Sequence, residues 1–178
     1  LGPESRALTH LLLTLGPQYD MASYDPKKQA VRTETGKTNR LLMRRYATIQ
    51  KARDASVVGL VVGTLGIHAY LPLLKELRRI LTSRGSRRKV YTISVGKLNP
   101  TKLANFLEID VFVLVACPEN SLLDTRDFMR PVVTPWEMML AVQARGGQEV
   151  PWTGAYVLDF ANVMRDASHM DTESAQDS

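Results

Sequence analysis

The sequence predicts an α/β fold: a Rossmann-like, three-layer domain with a roughly four-stranded parallel sheet flanked by helices. The first observation is a short, apolar, β-branched stretch that ends in glycines, SVVGLVVGTLG at residues 56–66. Such a stretch is typical of a strand buried on both faces of a parallel sheet. Two further β-type stretches follow, KVYTISV and VFVLVA, and a helical pattern precedes each of them. Strands that alternate with helices indicate right-handed βαβ units.

Residues 1–38 are predicted to be the tail of a preceding, similar α/β domain, followed by a linker. Leucines at helical spacing over residues 4–15 indicate a helix, which Gly16-Pro17 ends. A short strand is predicted over residues 19–24. The polar, charged stretch after it has no apolar period and indicates a loop that reaches Thr38.

The main α/β domain is predicted to occupy residues 39–165. Its first helix starts from a cap at Thr38 or Asn39, with an apolar stripe formed by Leu41, Leu42, Tyr46, Ile49 and Ala52. The basic residues of this helix fall mostly off that stripe: Arg44, Arg45, Lys51 and Arg53. Thr134, followed by Pro135 and then Glu137, predicts a capped helix start, and a short fourth strand is predicted over residues 155–158. The acidic residues 166–178 are predicted to be disordered.

Composition limits the possible functions. The chain has 23 Lys and Arg against 18 Asp and Glu, and it has no apolar run of about 18 residues that could span a membrane. A single cysteine excludes an intramolecular disulfide and favours a reducing compartment, for which the cytoplasm is the expectation. The histidines lack the spacing of a metal site. The basic stretch over residues 78–89 could attract an acidic partner or nucleic acid, but a solvated helix end is the simpler interpretation.

Three unusual segments follow predicted strand ends and are expected to share one rim of the sheet. They are the glycine turn over residues 63–66, the GKLNP turn over residues 96–100, and Cys117. Parallel sheets bind ligands beyond the carboxyl ends of their strands. The glycine turn could admit an anion to backbone N–H groups, although close packing against a neighbour is the preferred interpretation. The candidate binding residues are Gly63, Thr64, Gly66, Lys97 and Asn99.

Cys117, the only cysteine, follows the third predicted strand and precedes a proline and a polar turn. A packed core thiol is one interpretation, since unpaired cysteines are often buried. A thiolate at the rim could instead ligate iron or copper, or act as a nucleophile. A nucleophile needs a base, and no histidine partner is evident. Iron–sulfur ligation would require further cysteines from outside this chain.

Three long stretches resemble the C-terminal part of the diphthamide synthase family, the 2-(3-amino-3-carboxypropyl)histidine synthases. They are RRYATIQKARDASVVGLVVGTLG, ISVGKLNPTKLANFLEIDVFVLVACPENSLLD and FMRPVVTPWEMMLA, in the family's order. The resemblance extends from Tyr24 to Phe160. The ENSLLD segment is more similar to the second than to the first of the family's two eukaryotic subunits. We therefore expect a C-terminal fragment of such a second subunit.

The resemblance implies a function. The family transfers the 3-amino-3-carboxypropyl group of S-adenosylmethionine to a histidine of elongation factor 2. It holds a 4Fe–4S cluster by three cysteines, one from each of three similar domains, and Cys117 matches the third. The resemblance implies an accessory, iron–sulfur-binding subunit that supports, or relays electrons to, the cluster of its catalytic partner, diphthamide synthase subunit 1. S-adenosylmethionine is expected on that partner.

Further expectations come from the same resemblance. They are a heterodimer, an electron donor protein, a cytoplasmic location, and no contact with membrane or direct contact with nucleic acid. No catalytic residue is expected in this chain, which alone should be inactive. Two alternatives stay open: a self-sufficient homodimeric transferase that binds S-adenosylmethionine, and a structural interaction domain with a vestigial cluster site.

Overall fold

The computed structural model of the protein describes residues 6–15, 18–63, 67–83, 86–96, 98–116, 127–144 and 156–157. Across these residues it has the following helices: α1 (Arg6–Leu15), α2 (Thr35–Asp54), α3 (Ile67–Thr82), α4 (Pro100–Ala104) and α5 (Pro135–Gln143). The strands are β1 (Ala22–Asp25), β2 (Ala30–Thr33), β3 (Val57–Gly63), β4 (Lys89–Val95), β5 (Val111–Val115) and β6 (Val132–Val133). Among these helices, none is long and apolar enough to cross a membrane.

The main sheet is parallel and has the strand order β4–β3–β5–β6. β3 lies in its middle and pairs with β4 from Val57 to Gly63. All five residues of β5 are buried, as are the five central residues of β3. The β-branched residues of these strands suit a pleated surface that is covered on both faces. The predicted α/β class and four-stranded parallel sheet are confirmed.

The hydrophobic core has one part on each face of the sheet. Helices α1, α2, α3 and α5 cover one face, where Leu13, Ile49, Leu77 and Met138 are all buried in one cluster. The short α4 and the loop before β5 cover the other face with a smaller cluster that includes Leu103. Leu13 places α1 on the same core as the main sheet. The domain boundary at residue 38 stays a prediction, and the acidic tail over residues 166–178 lies outside the described residues.

Two of the predicted boundaries are wrong at the start of the domain. α2 begins at Thr35 rather than after Thr38, whose hydroxyl donates to the Glu34 carbonyl at 3.1 Å from within the first helical turn. The stretch predicted as a loop contains β2, which pairs antiparallel with β1. Gln29 has a φ of 47°, a left-handed conformation that is unusual for a residue with a side chain. This conformation helps to reverse the chain between β1 and β2.

The fourth strand is also misassigned by the sequence. β6, which pairs with β5 in parallel, is the fourth strand of the sheet. The prediction placed that strand at residues 155–158, of which Tyr156 and Val157 are described and are not part of a strand. β6 is only two residues long, so it gives almost no periodic signal to read.

A buried ion pair ties α2 to α5. Arg45 donates from Nε to Glu137 Oε1 at 2.6 Å, and its Nη2 donates to Glu137 Oε2. Only 10% of the Arg45 side chain and none of the Glu137 side chain is exposed to solvent. The same Nη2 donates to the Val132 carbonyl in β6 at 3.3 Å. The prediction that Arg45 lies off the buried stripe is therefore wrong. Arg45 can be buried because the Glu137 carboxylate compensates its charge inside the protein.

Glu137 accepts two more hydrogen bonds. Tyr156 donates its hydroxyl to Oε1 at 2.5 Å, and the Thr134 backbone N–H donates to Oε2 at 2.7 Å. The Thr134 hydroxyl accepts in return from the Glu137 N–H at 3.2 Å, so the predicted capping box is confirmed. We call Arg45, Thr134, Glu137 and Tyr156 the carboxylate network. It joins three segments of the chain that are distant in sequence.

Protonation states in the carboxylate network follow from burial and charge. Burial acts to lower the pKa of Arg45, but the adjacent Glu137 carboxylate outweighs it and raises that pKa above its ordinary value. Burial raises the pKa of Tyr156 well above its usual range, and the Glu137 carboxylate raises it further. The Arg45 guanidinium therefore stays charged, and the Tyr156 hydroxyl keeps the proton that it donates.

Gly59, in the middle of β3, is required by close packing. A Cβ atom at this position would lie 2.9 Å from Ile109 Cδ1 and 3.0 Å from Phe112 Cδ1. Both side chains are fully buried, so neither can move away without disturbing the core. The missing side chain lets β3 approach the cluster beneath α4.

We predict that Gly59→Ala lowers the free energy of unfolding by about 1–3 kcal/mol, because it overpacks this core. Urea unfolding of the chain, followed by tryptophan fluorescence, measures the loss. Gly63→Ala in the same strand is the matched control, since no atom of the described residues lies within 4 Å of an added Cβ there. Ile109→Val removes the Cδ1 atom and should recover part of the loss. Equal effects of Gly59→Ala and Gly63→Ala would contradict this account.

We predict that Glu137→Gln lowers the free energy of unfolding by about 3–5 kcal/mol, since it leaves the Arg45 charge buried without its counter-ion. Tyr156→Phe should cost less, about 1.5–3 kcal/mol, because the carboxylate keeps its other donors. The control is Glu76→Gln, which removes the exposed pair between Glu76 and Arg79 and should change stability by less than about 1 kcal/mol. The interpretation fails if Glu137→Gln and Glu76→Gln have the same effect in urea unfolding.

Candidate functional site

The carboxyl ends of β4, β3 and β5 lie side by side, as the sequence predicts. Gly63 is the partner of Val95 in the pairing of β3 with β4, and Val62 is the partner of Val115 in the pairing of β3 with β5. The residues that introduce the predicted rim segments are therefore neighbours across the sheet. We call this edge the rim.

Of the predicted site residues, the structure describes Gly63 and Asn99. Thr64, Gly66, Lys97 and Cys117 lie outside the described residues, and their roles stay predictions. Ala116, which directly precedes Cys117, is the last described residue at the end of β5 and is partly buried. The strand that leads to Cys117 is thus located, although the cysteine itself is not described.

Gly63 is the last residue of β3, and Gly96 directly follows β4. No atom of the described residues lies within 4 Å of a Cβ built at either position. The preferred interpretation of the glycine turn, close packing against a neighbour, stays a prediction, because residues 64–66 of that turn lie outside the described residues. Within the described residues, the missing side chains leave room for another group to approach the backbone at the ends of β3 and β4.

Asn99 has a structural role that the sequence did not predict. It is the N-cap of α4, and its side-chain oxygen accepts from the Thr101 N–H at 2.9 Å. Pro100 occupies the first helical position, where a missing N–H costs nothing. This cap fixes the start of α4, which inserts Leu103 into the core. The side-chain oxygen of Asn99 is therefore occupied by this cap.

The described residues do not form a metal site by themselves. They contain no group of three or more His, Cys, Asp and Glu side chains that could hold a metal ion. The best-anchored acid of the sheet, Asp110, lies at the opposite end, where its carboxylate accepts from the N–H groups of Ser56 at 3.0 Å and Val57 at 2.9 Å. These two hydrogen bonds hold the start of β3 in place.

The basic stretch over residues 78–89 has structural roles where it is described. The buried Arg88 donates to the carbonyls of Ala55 at 3.1 Å and Arg53 at 2.8 Å, which belong to the end of α2. Arg78 donates to the Val90 carbonyl and the Thr92 hydroxyl of the edge strand β4, both at 3.3 Å. A cation at a helix end and a charge on a sheet edge are ordinary stabilising devices. These contacts favour the simpler interpretation of this stretch.

Sequence reasoning missed most of the carboxylate network, which lies where β6 leads into α5. It identified the cap formed by Thr134 and Glu137 but did not identify Arg45 as a partner. A signal was present: Arg45 lies four residues after Leu41 and four before Ile49, so it falls on the buried side of α2. A charged residue at such a position requires a buried counter-ion.

Comparison with known proteins gives a consistent result. A family model for diphthamide synthesis proteins matches residues 1–157. The 2-(3-amino-3-carboxypropyl)histidine synthase subunit 2 of Gallus gallus is 48% identical over 164 residues, which cover 92% of this chain and 33% of the relative. The protein of the same name in Schizosaccharomyces pombe is 42% identical over 169 residues, covering 93% of this chain and 32% of the relative. The chain spans about a third of the length of these curated relatives.

The fold is also found among solved structures. The crystal structure of Dph2 from Pyrococcus horikoshii with a 4Fe–4S cluster superposes with a TM-score of 0.59, covering 84% of this chain and 41% of that one. Its sequence identity is 24%, so this likeness supports the fold alone. The family model and the subunit 2 relatives, which cover most of the chain, establish its ancestry. This chain belongs to the diphthamide synthesis protein family.

Proposed function

We propose that this chain is the C-terminal part of an accessory, iron–sulfur-binding subunit in the heterodimeric enzyme for the first step of diphthamide biosynthesis. In that step the 3-amino-3-carboxypropyl group of S-adenosylmethionine is transferred to a histidine of elongation factor 2. The observation that carries the proposal is the position of the only cysteine, directly after Ala116 at the end of β5. That end belongs to the rim, where parallel sheets bind their ligands.

Cys117 would supply one thiolate to the cluster. Iron–sulfur clusters are held by cysteine thiolates, and this chain has one cysteine. The remaining protein ligands would come from parts of the complete protein beyond this chain. The 4Fe–4S cluster named for the Pyrococcus horikoshii protein, whose fold is similar, supports this assignment. When bound, such a cluster would supply one-electron transfer in support of the partner subunit.

The chain's own residues would position that thiolate and leave space around it. β5 is buried along its whole length and pairs with β3 up to Val115, so the strand end before Cys117 is held within the sheet. At Gly63 and Gly96, no described residue lies within 4 Å of the position of a Cβ atom, which supports space at the neighbouring strand ends. We propose that the remaining predicted rim residues shape the cluster pocket or the subunit interface: Thr64, Gly66, Lys97 and Asn99.

The proposed assembly contains three other proteins. The name subunit 2 in the relatives supports a partner subunit, which we propose to be the catalytic subunit 1 that binds S-adenosylmethionine. Elongation factor 2 is the proposed substrate protein, and an electron donor protein is the proposed source of electrons. The cytoplasm is the proposed location.

The proposed domain organisation divides the chain at residue 38. Residues 1–38 are the proposed end of a middle domain, and residues 39–165 are the proposed third domain. This chain alone is expected to be inactive.

We predict that Cys117→Ser in the full-length protein removes the iron and sulfide of one cluster from the heterodimer. The physical reason is that a hydroxyl is a poor substitute for a soft thiolate ligand. The complex is purified anaerobically, iron and sulfide are measured per subunit, and the EPR spectrum is recorded after reduction. The signal of one cluster should be lost, while the partner's cluster keeps its own.

Ala116→Ser is the matched control, because it introduces the same hydroxyl one residue earlier and leaves the thiol in place. It should retain iron, sulfide and EPR signal. Unchanged iron and EPR in Cys117→Ser would show a packed thiol and favour a structural domain with a vestigial site. Turnover by the full-length protein without its partner would favour the self-sufficient transferase.

A further inference from the structure

α2 and the hairpin before it concentrate positive charge. Residues 27–53 contain nine Lys and Arg but a single acid, Glu34. Glu34 is buried and accepts from the Ser23 hydroxyl at 2.5 Å, so it does not offset the exposed charge. The basic stretch over residues 78–89 is denser in sequence, with six Lys and Arg and no acid, but contacts within the chain use several of its side chains.

The charge lies on the solvent side of α2. Residues spaced by three and four positions share one side of a helix, and five such residues are all exposed: Arg40, Met43, Arg44, Ala47 and Lys51. We call them the basic face of α2. The opposite side is buried and includes Arg45, Ile49 and Ala52. The helix therefore separates a packed side from a charged, exposed side.

The basic face does not use its charge within the described part of the chain. Arg45 pairs with Glu137 and Arg53 pairs with Asp54, whereas the described residues contain no salt bridge from Arg40, Arg44 or Lys51. Arg40 and Arg44 are four residues apart, a spacing at which like charges repel. The isolated helix would be more stable without these charges.

We propose that the basic face of α2 binds an acidic surface of a partner protein. Such a surface would supply the carboxylates that the chain lacks there. A protein fits better than a nucleic acid because Met43, 69% exposed, and Tyr46, 37% exposed, lie beside the arginines. Met, aromatic residues and Arg are enriched in protein interfaces, whereas a phosphate backbone offers no apolar surface to cover Met43. The proposal does not depend on the cluster.

The test uses the full-length protein and two probes: polyglutamate and a random copolymer of glutamate and tyrosine. Arg40→Glu with Arg44→Glu should weaken binding of both probes by about tenfold at low salt. Arg87→Glu with Lys89→Glu is the matched control, since it makes the same change in net charge at exposed positions of the other basic stretch. It should weaken binding by less than about threefold.

The wild type should bind the copolymer more tightly than polyglutamate, and Met43→Ser should remove that preference. All variants should keep the wild-type melting temperature.

Hydroxyl-radical oxidation locates the contact. Met43 should oxidise readily in the free full-length protein and be protected by the copolymer, while Met129, 78% exposed and outside α2, serves as the reference residue. Equal losses in the two charge-reversal variants would overturn the proposal, because net charge alone would then explain binding. Tighter binding of a single-stranded RNA of equal charge would identify a nucleic-acid surface instead. Protection of Met43 before any probe is added would show that the rest of the protein covers this face.

Discussion

The buried pair of Arg45 and Glu137 is the constraint on which the edge of this fold depends. β6 has only two residues, so its own pairing with β5 gives it little hold on the sheet. Arg45 reinforces that edge by binding the Val132 carbonyl and the carboxylate that caps α5. Tyr156 attaches a later segment to the same carboxylate. Because a buried charge is costly unless it is fully paired, the four groups hold one another in a single arrangement.

The two glycines of β3 show how the sheet changes from a packed core to an open rim. Gly59 and Gly63 are four residues apart and therefore lie on the same face of the strand. At Gly59 there is no room for even one additional carbon atom, whereas no described residue lies within 4 Å of a Cβ atom at Gly63. The same residue type thus serves packing in the middle of the strand and access at its end. Within the described residues the strand is therefore packed in its middle and uncovered at the rim, where we propose the cluster site.

α2 also divides into a packed part and an exposed part, here on opposite sides of the helix. Arg44 and Arg45 are adjacent in sequence, yet Arg44 is exposed and Arg45 is buried against Glu137. The Arg45 guanidinium is paired inside the protein, whereas the Arg44 guanidinium is exposed to solvent. The proposed cluster function concerns the rim, whereas the proposed acidic partner concerns the outer side of α2. The two proposals therefore involve different surfaces and can succeed or fail independently.

Much of this architecture could be predicted from the sequence, because it depends on local patterns. The apolar runs predicted β3, β4 and β5, and the Thr134 cap with Pro135 and Glu137 predicted the start of α5. The same runs placed Cys117 after a strand end, where the family resemblance gave it a role. These features follow from backbone propensity and burial within a few residues of chain.

Only the tertiary structure decided the features that depend on distant residues. The counter-ion of Arg45 is 92 positions away, so no local pattern could identify it. β6 is too short to have a period, and it is a strand because β5 offers it a partner. The crowding beside Gly59 is likewise set by residues of other elements. Local sequence determined which elements form, and long-range packing and charge pairing determined which of their residues became buried, open or exposed.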